Sequence, residues 1–258
     1  MLDQLTSGVI RRAIMFSAIL ALAAVTQAAT AEPKPTIVLV HGAFADGSGW
    51  SKVILRLAKA GYTAIAVQNP LSTLPEDVAT TKRVVDSVKG PVVLVGHSYG
   101  GAVITGAGIG SPNVKSLVYI AAFAPDAGEK IVELHGKFGP APLGSALIPD
   151  GAGFLTIDRA KFHEVFAADV TKDEALVMAA AQKPFAGAAF AGSLDTPAWK
   201  TIPSWYMVSR EDEAILPELQ RFMAKRMGAK SIVEVKASHV SYISQPDAVV
   251  KLIEAAAE

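Results

Sequence analysis

The feature that most constrains this chain is a ten-residue stretch at residues 92–101, VVLVGHSYGG. Four apolar, mostly β-branched residues read as a buried strand. Small residues at 100–108 then read as a helix, so the chain must reverse sharply between the two at Gly96-His97-Ser98-Tyr99-Gly100. A serine at the apex of such a turn is pushed into a strained backbone conformation, and a Cβ at Gly96 or Gly100 would collide with the neighbouring strand or helix. The geometry lifts the Ser98 hydroxyl into the open at the positive end of a helix. No G-x-G-x-x-G or G-K-[ST] accompanies the turn, which weakens the competing reading as a phosphate loop.

The surrounding sequence repeats this alternation. Residues 36–40 (TIVLV), 63–67 (TAIAV), 92–95 and 114–121 (VKSLVYIA) read as strands, with helices expected at about 50–60, 75–89 and 100–108. Strands at 204–208 (SWYMV) and 231–235 (SIVEV), and a helix at about 246–257, resume the pattern. Six strands separated by helices imply an α/β fold: a mostly parallel sheet with helices on both faces. Between about 125 and 203 the rhythm breaks into a segment rich in Phe, Ala, Gly and Pro, with helices expected at 158–168 and 172–182. It reads as a mostly helical lid over the C-terminal edge of the sheet, where pockets form in such folds.

The N-terminus is a separate object. Arg11 and Arg12 precede an apolar stretch of 13 residues (13–25), and Ala29-Thr30-Ala31 stands before Glu32-Pro33. A basic start, a short apolar core and an A-x-A site describe a secretory signal peptide over residues 1–31, and an apolar stretch of 13 residues is too short to span a bilayer. The mature domain is then residues 32–258, periplasmic or secreted, with no membrane partner expected. The chain has no cysteine, with 24 basic and 24 acidic residues. Thiol nucleophiles, disulfides and Cys-based zinc sites are excluded, no metal or cofactor is called for, and no charge excess points to nucleic acid.

A serine hydroxyl is a weak nucleophile and needs a base. His239, between the last strand and the last helix, falls at the same sheet edge as Ser98. His41, His97, His135 and His163 are less suited by position. The base needs a carboxylate to fix its tautomer. Asp212, in SREDEAILP after the strand at 204–208, fills that role best, with Glu211 and Glu213 beside it and Asp126 as a second candidate. Ser98, Asp212 and His239 follow the chain order of one known arrangement of this triad. An oxyanion would be held by the backbone N–H of Tyr99 and by one from the loop His41-Gly42-Ala43-Phe44; Ala43 is preferred, with Phe44 next.

The blocks LVHGAFADGSGW, VGHSYGG, AAFAPD and SREDEAILP resemble the α/β-hydrolase superfamily. Within it they look most like the branch of plant methylesterases, hydroxynitrile lyases and small bacterial esterases, over nearly all of the mature chain. The resemblance implies an α/β-hydrolase fold and serine-dependent hydrolysis of a small-molecule carboxylic ester, with Asp212 as the triad acid and Ala43 as an oxyanion donor. The lyases of this branch carry a lysine after the catalytic histidine, where this chain has Val240, and a hydroxyl residue where it has Gly42. Ester hydrolysis is therefore preferred over lyase chemistry. Acyl transfer on the same triad and a non-catalytic ligand-binding role are the alternatives.

Overall fold

The computed structural model describes residues 34–258, so the expected signal peptide lies outside the described residues. The first half runs β1 (Thr36–Val40), α1 (Ser51–Lys59), β2 (Ala64–Val67), α2 (Leu74–Ser87), β3 (Val92–His97), α3 (Tyr99–Ala107) and β4 (Val114–Ile120). After an insertion come β8 (Ser204–Ser209), α8 (Pro217–Arg226), β9 (Ser231–Val235), α9 (Ser241–Ser244) and α10 (Pro246–Ala257). The insertion itself holds α4 (Ile131–His135), β5 (Leu147–Pro149), β6 (Phe154–Ile157), α5 (Phe162–Phe166), α6 (Lys172–Ala181), β7 (Phe185–Ala186) and α7 (Gly187–Phe190).

The six strands form one sheet in the order β2-β1-β3-β4-β8-β9, and every pairing in it is parallel. Its centre is apolar on both faces: Ile37 to Val40, Val92 to Val95 and Leu117 to Ile120 are wholly buried. That is why these strands read as continuous apolar runs rather than as alternating ones. Strand β9 lies at the edge and is half exposed, with Glu234 engaging Arg221 of α8.

The helices follow from local signals. Thr73 caps α2 by accepting a hydrogen bond from Glu76 N–H, and Pro75 occupies the first turn. Pro246 opens α10, which buries Val249, Leu252 and Ile253. The C-terminal end of α10 meets β4, where Ser116 Oγ donates to the Ala256 carbonyl at 2.6 Å.

The insertion is helical over α4 to α7. It also contains a three-stranded antiparallel sheet, β5-β6-β7, that the sequence pattern does not signal. These strands have two to four residues, too short to show a period of two. The helix expected at 158–168 shrinks to α5, because Asp158 side-chain and backbone groups close a turn onto Ala160 and Lys161 instead.

Candidate functional site

Ser98 follows β3 directly, with φ 55° and ψ −125°. A non-glycine residue held in this region marks strain maintained by its surroundings. The hold is visible in the backbone. Ser98 N–H donates to Ile120 O, and Ser98 O accepts from both Gly101 N–H and Phe123 N–H at 3.0 Å. The expected need for small residues is borne out. A Cβ on Gly96 would come within 2.5 Å of Gly100 O, and one on Gly100 within 2.5 Å of Val40 O.

Asp212 follows β8 and His239 follows β9, so both reach the edge that carries Ser98. His239 Nδ1–H donates to Asp212 Oδ2 at 2.8 Å, and both side chains are buried. Asp212 is held by three further donors. Ala214 N–H and Ile215 N–H bond Oδ1 at 2.7 and 2.8 Å, and Gln220 Nε2 bonds Oδ2 at 2.7 Å. A carboxylate with four donors stays where it is put, and the one on Nδ1 fixes the His239 tautomer so that Nε2 is the free nitrogen. Sequence reasoning missed Gln220. Its position on the buried face of α8, eight residues after Asp212, offers no motif.

Ser98, His239, Tyr99, Ala43 and Phe44 all line one cavity of about 50 Å³. Gly42 presses on the serine, since a Cβ there would lie 3.1 Å from Ser98 Oγ. The structure thus brings Ser98, His239, Tyr99 and Ala43 to one cavity, with Asp212 behind His239. It leaves Asp126 elsewhere, in an ion pair with Lys200 at 2.6 Å, because that carboxylate turns to the insertion's surface. Glu211 faces Lys236 at 3.7 Å and takes no part.

The other histidines each bond a backbone carbonyl, and His135 also lines the cavity. His41 Nε2 accepts from Asn69 N–H while Nδ1–H donates to Gly42 O at 2.9 Å, pinning the loop beside Ser98. Burial holds its pKa down to about 4. His97 points away from the serine and donates from Nε2 to the His239 carbonyl at 2.9 Å. Burial, with His239 nearby, keeps it far below the ordinary histidine range. His135 Nε2–H donates to Ala214 O at 2.8 Å, tying α4 to the Asp212 loop. Beneath the serine, the Tyr99 hydroxyl donates to the buried Asp77 at 2.7 Å, and desolvation raises the pKa of both groups.

Phe123, Phe166, Phe185 and Phe190 give the cavity aromatic walls. The insertion supplies the last three, so it does line the pocket, and Ser238 Oγ bonds the Asp169 carboxylate of the insertion next to His239. No helix among the described residues is long and apolar enough to cross a membrane.

A parallel α/β sheet with a strained serine after its third strand, and a buried Asp–His pair at the same edge, defines the hydrolase class of this fold. The chain belongs to the alpha/beta hydrolase family, whose model matches residues 37–252. It is 32% identical over 252 residues to the alpha/beta hydrolase nvfD of Aspergillus novofumigatus, covering 87% of this chain and 97% of that one. It is 26% identical over 240 residues to salicylic acid-binding protein 2 of Nicotiana tabacum, covering 81% and 92%. Among solved structures, polyneuridine aldehyde esterase superposes with a TM-score of 0.76 at 18% identity, covering 87% of this chain and all of that one. The chain is also 26% identical over 249 residues to putative methylesterase 19 of Arabidopsis thaliana, covering 83% and 94%, which matches the expected plant-methylesterase branch.

Proposed function

We propose that this chain is a carboxylic ester hydrolase that works through an acyl-enzyme on Ser98. The observation that carries this is a buried Asp212–His239 pair whose His239 shares a cavity with a serine in a strained strand-to-helix turn. Relatives named carbendazim hydrolyzing esterase and putative methylesterase 19 agree with it.

In this reading Ser98 Oγ attacks the ester carbonyl as His239 Nε2 takes its proton. The negative charge passes to the carbonyl oxygen, which the backbone N–H groups of Ala43 and Tyr99 receive, aided by the N-terminal dipole of α3. The tetrahedral adduct collapses, the C–O bond to the alcohol breaks, and His239 returns the proton to the leaving alkoxide. Water then attacks the acyl-serine by the same route, releasing the acid and restoring Ser98. Asp212 stays ionised throughout and stabilises the imidazolium. Val240, the neighbour of His239, is apolar and wholly buried. It offers no cation for a departing cyanide, which sets lyase chemistry aside.

The test is turnover of short p-nitrophenyl esters by residues 32–258, with Ser98→Ala alongside. Hydrolysis that vanishes in the variant supports the reading, whereas a well-folded wild type inert toward every ester sinks it. We also propose that the chain is exported and cleaved after Ala31. Mass spectrometry of protein recovered from outside the cytoplasm checks this, and an intact N-terminus there refutes it.

A further inference from the structure

The cavity at Ser98 is small for the ester it is read to cleave. Its volume is about 50 Å³, whereas a cavity that holds one benzene ring measures roughly 150 Å³. A second cavity, of about 130 Å³, adjoins it. Phe44 and Phe166 line both. Their rings meet edge to face with centroids 6.2 Å apart, and each ring faces both spaces.

We propose that the two cavities are halves of one substrate site, and that Phe44 and Phe166 form a movable partition between them. The second cavity would receive the longer, apolar part of an uncharged ester. This rests on the ester-hydrolase reading above.

Three observations carry it. First, Phe44 has φ 62°, in the left-handed region where a bulky residue is strained and glycine is not. The strain is borne by the residue whose ring faces both spaces and whose backbone adjoins Ala43. Second, the far side of the second cavity is apolar, built from Met178 and Ala181 of α6 with Ile243 of α9. Third, neither lining includes a lysine or arginine, and the second contains the Asp46 carboxylate, fixed by Ser48 N–H at 2.7 Å. A substrate bearing its own carboxylate would meet a like charge there, which favours uncharged chains or rings.

The test compares kcat/KM for p-nitrophenyl acetate and hexanoate in four proteins: wild type, Phe166→Ala, Ala181→Phe and the double variant. Ala181 is exposed at the cavity wall, so a larger side chain there narrows the second cavity without disturbing the core. Phe166→Ala should raise the hexanoate-to-acetate ratio at least tenfold, Ala181→Phe should lower it, and the double variant should lose the gain. A ratio unchanged by Phe166→Ala, or a gain that survives Ala181→Phe, overturns the proposal. Because Phe166 also packs on His239, with ring centroids 4.9 Å apart, binding is read separately. Titration calorimetry with the unreactive hexanoic 4-nitroanilide should show tighter binding in Phe166→Ala and weaker binding in Ala181→Phe. Unchanged affinities overturn the partition even if esters are cleaved. The expected affinities without turnover of any ester would instead overturn the hydrolase reading.

Discussion

Asp212 Oδ2 lies 2.8 Å from His239 Nδ1 with both side chains out of contact with solvent, and the same oxygen accepts from Gln220. The pair therefore fixes a proton on Nδ1 and leaves Nε2 to act. Asp212→Asn should preserve the shape while allowing the wrong tautomer. Removal of this negative charge should lower kcat by about 10³–10⁴-fold. Steady-state kinetics with Ser98→Ala as the floor checks it; a loss under tenfold would mean that another group orients His239.

Gln220 is the less obvious member of this arrangement. Its amide N–H groups donate to Asp212 and to Ile215 O, and its oxygen accepts from Ser209 N–H. Gln220→Leu keeps the volume but strips a wholly buried carboxylate of a donor and orphans two backbone groups. Each orphaned buried group costs about 1–3 kcal/mol, so thermal denaturation should show a clear fall in Tm together with a lower kcat. Gln220→Glu should be worse than Leu, because a second carboxylate would face Asp212. If Leu and Glu behave alike, the amide does not hold Asp212 by charge.

What could be read without coordinates follows from what leaves a periodic or steric trace. The central strands are buried on both faces, so their apolar runs announced them. Ser98 stands in a turn that only particular neighbours permit. Asp212 and His239 were placed by the rule that residues following parallel strands gather at one edge. Gln220 belongs to a helix and is chosen by a contact eight residues back, which no local pattern encodes. The small sheet β5-β6-β7 is likewise set by tertiary pairing of strands too short to have a period. The two phenylalanines between the cavities come from segments more than 100 residues apart, and only folding shows that their rings meet.

Gly100 tests the steric reading of the turn. An added Cβ would lie 2.5 Å from Val40 O and 2.7 Å from His41 O, both backbone atoms of the β1 strand and the loop beside Ser98. Neither can swing aside as a side chain would. Gly100→Ala should cost on the order of 4 kcal/mol, among the largest single-residue losses. In a domain of this size that lowers Tm by about 8–16 °C. Gly144→Ala, at a site where nothing lies within 4 Å, is the control and should leave Tm nearly unchanged. Equal behaviour of the two variants would refute the close-packing argument.

Stability should also fall on mild acidification, through His41 and His97. Both are buried and neutral, with pKa values lowered by desolvation, to about 4 for His41. In the unfolded chain each titrates near the ordinary 6.5, so between that pH and 4 the unfolded state binds more protons. Stability is then fully present above pH 6.5 and is lost as pH falls. For His41 alone the linkage amounts to roughly 3 kcal/mol by pH 4. Asp77 works in the opposite sense: burial raises its pKa, so it gives up stability as pH rises through the carboxylate range. Because Asp77 stabilises as pH falls, the histidine contribution is isolated by comparing wild type with a variant that lacks one ring. Urea denaturation at pH 7.5, 6.5, 5.5 and 5.0 should show the midpoint declining below 6.5. His97→Gln, which keeps a donor for the His239 carbonyl without a titratable ring, should flatten part of that decline. An identical pH dependence in wild type and His97→Gln would show that the His97 ring does not resist protonation in the folded state.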